Sequence, residues 1–484
     1  MALVPFPPFT PDQSRFSPEA TDGTINCRPT KDGWGPLRGL VGISDALPTA
    51  PRGGIAVKAD SGTWKVFAGT ATNLYRINSS TYVWEEISRA TDDYSLADGV
   101  YWSFARYGNH LIATAPGSTY PQFVDIDSAD DFANLTNATF EAAVAATVGD
   151  FLVFGQIDGD KRMLRWSEIN NIFAWTVGQG GADVQEIPDG GAIQGIIPQA
   201  LNALIIQETS IRGMKFSPQT GLVFSFEVVD PERGAFAPRS IVNIGPNDFV
   251  YLAKDGFYRG VQAQPIGAER VDKFFFENCA SDKYDLVSAT LDPFDKVVWW
   301  RFEDADGISQ MLGYDWQLDR WCLRDTDALD LFPAATAGLT LAALAVLYAT
   351  IADMPYAIGS RFYMGGIPGL AGFTSDYKLG FFDGETLEAL ISTEDKALAY
   401  PRRAITDKIT VLVDTDDAQV AIATKETQSG TLTFGSYLSR HTSQPFINSR
   451  TSGRWHRFRV KIPAGSTWKN ATAIDIQFTD GGDR

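Results

Sequence analysis

The chain has 484 residues, 41 Lys+Arg against 59 Asp+Glu for a formal net charge of −18, and a mean hydropathy of −0.11, the value of a soluble protein. Aromatics at 12% with 44 Gly and 25 Pro suit many short strands joined by tight turns, and radial repetition lets one all-β domain grow to this length. The three cysteines, Cys27, Cys279 and Cys322, are too far apart for the paired spacing of a zinc or disulfide framework and imply synthesis in a reducing cytoplasm.

The first residues, Met1 to Phe9, hold three prolines and no basic stretch, so they read as an extended arm rather than a signal peptide. Residues 1–55 are rich in Pro, Gly and polar turn residues, with brief apolar pieces such as Leu37 to Ile43. Such a segment buries too little surface on its own and is expected to lie along the body or a neighbour.

A repeating unit then follows, clearest from Arg106 to Thr114: a turn at Gly108-Asn109 feeds the apolar run from Leu111. Leu111, Ile112 and Ala113 lack the polar alternation of a half-exposed strand, which predicts a buried inner strand. Equivalent quartets begin at Val66, Leu111, Leu152, Leu204, Val250, Val297 and Phe362, with gaps of 45, 41, 52, 46, 47 and 65 residues. Each precedes a second strand-like segment: Leu74 to Ile77, Gln122 to Ile126, Met163 to Trp166, Ile211 to Phe216, Phe257 to Arg259, Met311 to Trp316 and Leu379 to Phe382. A period of about 40 to 50 residues predicts an all-β, propeller-like ring of about six to seven short sheets over 56–395. The competing architecture is an irregular β-sandwich or several small β-domains.

Within this body Phe140 to Thr147 reads as a helix, and Trp299, Trp300, Trp316 and Trp321 read as filling between sheets rather than as a sugar-stacking platform. Leu331 to Ala352 is uncharged across 22 residues and calls for a membrane check, but Pro333, Gly338 and three threonines interrupt it and alanine supplies much of its apolarity, which argues against a bilayer span. It reads as an insertion near 331–356, with Thr340 capping a short helix from Leu341 to Ala352.

From residue 396 the pattern changes. Strands are predicted at Ile405 to Val413, Val420 to Thr424, Thr431 to Leu438, Trp455 to Ile462 and Ala473 to Phe478, making 396–484 a separate C-terminal antiparallel β-domain. This part has 13 Lys+Arg against 8 Asp+Glu, whereas the part before it has 28 against 51. No acid lies between Glu426 and Asp475, while Arg440, Arg450, Arg454, Arg457, Arg459, Lys461 and Lys469 do. These cations are the candidate assembly interface, expected to form a stripe on one sheet face and to meet an anionic partner, nucleic acid or the acidic surface of a neighbouring subunit.

Catalytic patterns are missing: there is no phosphate-cradling Gly-x-x-x-x-Gly-Lys, no Gly-x-Ser-x-Gly and no His-Glu-x-x-His. His110, His441 and His456 have no partner legible in the sequence, and the arginines around His456 would disfavour its protonation. The clusters Asp125, Asp127, Asp130, Asp131 and Glu303, Asp304, Asp306 lack the spacing of a calcium loop and read as acidic turns. The expectation is a protein that is not an enzyme, with no cofactor and no metal.

The order of parts resembles one phage family, the head-to-tail stabilisation proteins of short-tailed bacteriophages, also called tail hub, nozzle or packaged-DNA stabilisation proteins. The likeness rests on the Pro-rich arm, the repeats, Tyr-Asp-Trp-Gln-Leu-Asp-Arg-Trp-Cys at 314–322, Phe-Tyr-Met-Gly-Gly at 362–366 and the basic C-terminal β-segment. It implies a virion structural protein of the tail, assembled in the host bacterial cytoplasm as a homohexamer beneath the portal and adaptor rings. Such a ring extends the DNA channel, helps retain packaged double-stranded DNA without reading its sequence, and carries fibre, spike or plug proteins. The alternatives are a glycan-binding or glycan-cleaving propeller, acting as a receptor-binding protein or a hydrolase, and a scaffolding propeller of cellular origin.

Overall fold

A computed structural model describes residues 1–14, 16–17, 21–217, 222–336, 338, 344–345, 348, 350–354, 361–366, 368–441 and 443–481. Seven four-stranded antiparallel sheets are arranged as the blades of a propeller. Their inner strands are Gly54–Lys58, Ser103–Tyr107, Ala142–Val148, Ile193–Gln199, Val242–Gly245, Ser288–Asp292 and Asp330–Ala334; neighbours lie side by side, the fourth reaching the fifth blade at Pro238–Ser240, and the last meets the first to close the ring.

The apolar quartets are the second strands of the blades rather than the inner ones expected, and packing between blades explains their composition. In Phe151–Ile157 six of seven residues are buried, because a blade lies against each face of the sheet and no side of the strand meets water. The segments predicted after the quartets are the third strands, including Leu74–Ile77, Ile211–Phe216 and Lys378–Phe381. In the hairpin at Gly108 the backbone turns with φ +54, as Gly149 does in the next blade.

Three expected elements differ. Phe140 to Thr147 is not helical: Ala142–Val148 is an inner strand, where small side chains let the backbone approach the channel axis, and tertiary packing overrides alanine's helix preference. The quartet expected at Phe362 is replaced by a short helix, Arg361–Met364, and the seventh blade's second strand is Gly369–Phe373. Glycines hide that strand in the sequence, and Gly372 is needed there because a Cβ would come within 2.7 Å of the Asp330 carbonyl oxygen. Of the predicted strand Thr431 to Leu438 only Leu438–Ser439 is paired as one. The helix expected from Thr340 through Leu341 to Ala352 lies largely outside the described residues; at its end Thr350 caps the single turn Ile351–Asp353. No helix among the described residues is long and apolar enough to cross a membrane.

The sheets cut the chain at places other than 55 and 395. Val41–Ala46, within the expected arm, is the outermost strand of the seventh blade, paired with Lys378–Phe381. It also reaches the first blade, where the Trp84 N–H donates to the Asp45 carboxylate at 2.9 Å and the Trp84 indole N–H to Ser44 Oγ at 3.2 Å. Ring closure is thus made by the N-terminal segment.

The rest of the arm belongs to the C-terminal β-domain. Ala2–Pro5 and Gly33–Pro36 pair with Ala471–Asp480, and Cys27–Thr30 extends the sheet, which has seven strands in all. A second sheet holds Ala389–Ser392, Trp455–Ile462, Gln419–Lys425 and Leu438–Ser439. The two face each other through Ile409, Ile474 and Ile476 on one side and Val420, Phe458 and Val460 on the other. That core is continuous with blades five and six through Phe9, Trp34, Phe275 and Trp299.

Candidate functional site

Side chains of Trp455–Ile462 alternate, with His456, Phe458, Val460 and Ile462 buried in the sandwich core and Arg457, Arg459 and Lys461 on the opposite face. These three of the seven predicted interface cations therefore do form a stripe. Most of the seven, however, already have anionic partners within the chain. Arg457 pairs with Asp22 and with Asp395, both at 2.9 Å, and Lys425 pairs with the same Asp395 at 2.6 Å. The side chains of Arg457, Asp395 and Lys425 are 6%, 0% and 6% exposed, which makes this a buried ionic cluster.

Lys461 pairs with Glu388 at 2.8 Å, and that carboxylate raises its pKa. Arg440 pairs with Asp416, and Arg454 approaches Glu426 at 4.0 Å. Arg459 rests over the ring of Phe434 at 4.1 Å and donates to Ser392 Oγ at 3.2 Å. Arg459, Arg450 and Lys469 have no ion pair among the described residues. Asp22, Glu388 and Asp395 were missed as members of this face because they lie outside the acid-free window, and Asp22 precedes Arg457 by 435 positions. Local sequence carries no signal for such a pair.

His456 is fully buried, and burial is what lowers its pKa; no arginine contributes, contrary to the expectation from the sequence. His110 packs edge-on against Phe123 and Phe173, and the His441 ring bonds Ser443. All three cysteines are buried, which pushes the Cys279 thiol up to about 12 and raises Cys27 and Cys322 as well.

A second candidate is the propeller channel. A cavity of about 440 Å³ is lined by inner-strand residues of blades two to five, among them Ser103, Val144 and Gln194, and Asp285 is the one carboxylate in its wall. Arg239, Tyr101 and Asp330 stand at or just before the start of three different inner strands and so at one mouth. There the Arg239 guanidinium lies 3.7 Å from the centre of the Tyr101 ring and forms an ion pair with the buried Asp330. This bridge ties the entries of blades two, five and seven together. With a single carboxylate in its lining, this cavity offers no pair of facing carboxylates for glycoside cleavage.

The acidic clusters serve turns and ion pairs. Asp127 accepts from the Ser61 N–H and hydroxyl at 3.2 and 2.6 Å, and these bonds lower its pKa. Asp304 accepts from the N–H groups of Asp306 and Ile308, while Glu303 pairs with Lys283 and Arg301. Among the described residues no group of three or more His, Cys, Asp or Glu is placed to hold a metal ion. Trp300 and Trp321 are buried between blades five and six, where their indole N–H groups donate to the Ser240 and Ile266 carbonyls, Trp299 is buried at the junction of blade six with the sandwich, and Trp316 is half-buried.

No family model matches the chain, and no curated protein matches it either. Among solved structures it is similar to a chain of the mitotic checkpoint complex, at 10% identity and a TM-score of 0.38 over 71% of this chain and 98% of that one. It is also similar to a β-propeller domain from Myceliophteria thermophila, at 8% identity and a TM-score of 0.37 over 62% of this chain and 91% of that one. Likeness at this level carries no argument about activity or partners; the seven four-stranded sheets of the chain itself make it an all-β protein with a propeller-like fold.

Proposed function

We propose that the chain is a structural protein of a short-tailed phage virion, a tail hub or nozzle that assembles as a hexameric ring beneath the portal and adaptor rings. In this reading it extends the DNA channel, helps retain the genome and provides attachment for fibre, spike or plug proteins. Its central support is that both chain ends are woven into one double sheet fused to a propeller that the N-terminal segment closes. A conduit under internal pressure needs such a tied, rigid block. The excess of acid in the first 395 residues, 51 against 28 basic, suits a surface along which phosphate slides without sticking.

Electron microscopy of negatively stained protein, alone and mixed with portal and adaptor rings, tests the proposal. A hexameric ring on the tail axis is expected. A particle that stays monomeric under both conditions and cleaves or binds polysaccharide would establish the glycan-active alternative instead.

A further inference from the structure

A half-open cleft of about 790 Å³ lies where blade six and the end of the seventh blade meet the C-terminal sandwich. Its walls are largely apolar: Leu37, Trp299 and Phe382 line it, and Phe294 stands at its rim 54% exposed. Charged side chains, Arg28, Arg38 and Lys469 with three aspartates, complete the lining, and two further lining residues are buried with a donor left over. Arg324 is 2% exposed and has no ion pair among the described residues; its Nη2 donates to the Arg38 carbonyl at 2.8 Å, while Nε has no acceptor. Trp468 is 3% exposed, and its indole N–H likewise has no acceptor.

Buried donors in folded proteins are nearly always satisfied, so two orphans in one cleft ask for the same thing, an oxygen acceptor. A guanidinium also favours a charged one, which it can hold through parallel N–H bonds. Burial lowers the Arg324 pKa to about 10, which leaves it cationic at neutral pH, and its guanidinium carbon lies 4.4 Å from the centre of the Phe382 ring and 5.6 Å from that of Trp299. Three carboxylates also line the cleft, Asp292, Asp295 and Asp383, and none of them is free: Asp295 pairs with Arg28 at 2.9 Å, and Asp292 accepts from the N–H groups of Phe294 and Asp295. The volume falls in the range of small-ligand pockets, which favour domain junctions.

We propose that this cleft binds a carboxylate carried on an aromatic or apolar body, with Arg324 and Trp468 holding the carboxylate and Trp299, Phe382 and Phe294 enclosing the body. The carboxylate is supplied by a free acid or by the C-terminus of a peptide, and both present the same group.

The full chain, labelled with 15N at tryptophan, is titrated with 3-phenylpropionate, with a short peptide ending in a free Phe carboxylate, and with the two corresponding amides. The indole resonance of Trp468 is identified by its loss in Trp468→Phe. A saturable shift with either acid, a dissociation constant of about 1 mM or tighter, and at least ~10-fold weaker binding of the amides are expected. Preference for the peptide over the free acid assigns the chain end as the source, and the reverse order assigns the small molecule. Arg324→Gln is expected to abolish the shift, and Phe294→Ala, at the exposed rim, to weaken binding several-fold without touching the fold. No shift with any probe, or equal binding of acid and amide, overturns the proposal, and the amide comparison and Phe294→Ala decide it even if Arg324→Gln does not fold.

Discussion

Arg457 shows how far a charged residue's surroundings decide its role. As one cation in an acid-free window it looks available to a partner, yet it is buried between Asp22 and Asp395. Removing one member of a buried pair leaves its counter-charge uncompensated, so Arg457→Gln should destabilise the chain by roughly 3 kcal/mol in urea unfolding. Arg459→Gln, at a partly exposed guanidinium without an ion pair, should change stability by less than about 0.5 kcal/mol. Replacing Arg454, Arg457 and Arg459 together is therefore a folding experiment as much as an assembly one, and the assembly test belongs to Arg450, Arg459 and Lys469. His456 gives a pH dependence with a definite sign. Burial lowers the pKa of the folded imidazole, whereas the unfolded one protonates at its ordinary value near 6.5. The unfolded state thus binds more protons as pH falls through about 6.5, and stability declines there. Asp272, whose burial raises it to about 6, acts oppositely, losing its contribution as pH rises from about 4 to 6. The difference between the stability curves of the wild type and His456→Leu from pH 5 to 8 isolates the histidine, and a pH-independent difference would refute its role.

At the scale of elements the N-terminal segment matters most. Ala2–Pro5, Cys27–Thr30 and Gly33–Pro36 are strands of the C-terminal sheet, and Val41–Ala46 completes the seventh blade. Between them Asp12 caps a helix far along the chain: its carboxylate accepts from the N–H groups of Lys273 and Phe274, both at 2.8 Å, at the start of Asp272–Asn278. Asp12→Ala should cost about 1 kcal/mol, the usual worth of a cap, visible as a lower thermal midpoint. Deleting residues 2–51 should do far more than impair assembly, because it strips four strands from two sheets and exposes the edges of Ala471–Asp480 and Lys378–Phe381. The expected product is insoluble or protease-sensitive; a truncated chain that keeps its far-ultraviolet dichroism and thermal midpoint would show the strands to be dispensable.

The whole molecule is one mechanical unit despite its two architectures. Val4, Trp34, Trp299, Phe458 and Ile474 belong to a single apolar core that runs from the sandwich into blades five and six. Cutting the chain at residue 395 therefore does not release a propeller, since it removes Ala471–Asp480, the strand on which the N-terminal segment is laid. Calorimetry should record one cooperative transition for the full chain, and the fragment 1–395 should show none at the same temperature; two resolved transitions would mean that the propeller and sandwich unfold independently. The Arg239 bridge across the channel mouth adds to this unity, joining blades that are not neighbours in the ring.

What the sequence determined by itself is the repeat. A strand enclosed on both faces by neighbouring blades must be apolar throughout, so Leu111, Leu152, Leu204, Val250 and Val297 announce their own burial, and the turns before them mark the hairpins. The alternation in Trp455–Ile462 was legible for the same reason: period two is written in consecutive residues. Tertiary structure alone decided what depends on distant parts of the chain meeting. Ala142–Val148 is a strand because an inner position in the ring demands small residues in extended form, although alanine favours helix. Val41–Ala46 closes the propeller because the seventh blade has a vacant edge, and Asp22 neutralises Arg457 across 435 positions. Closure, charge compensation and the cleft at Arg324 are pairwise and long-range, and no local pattern encodes which two segments will face each other.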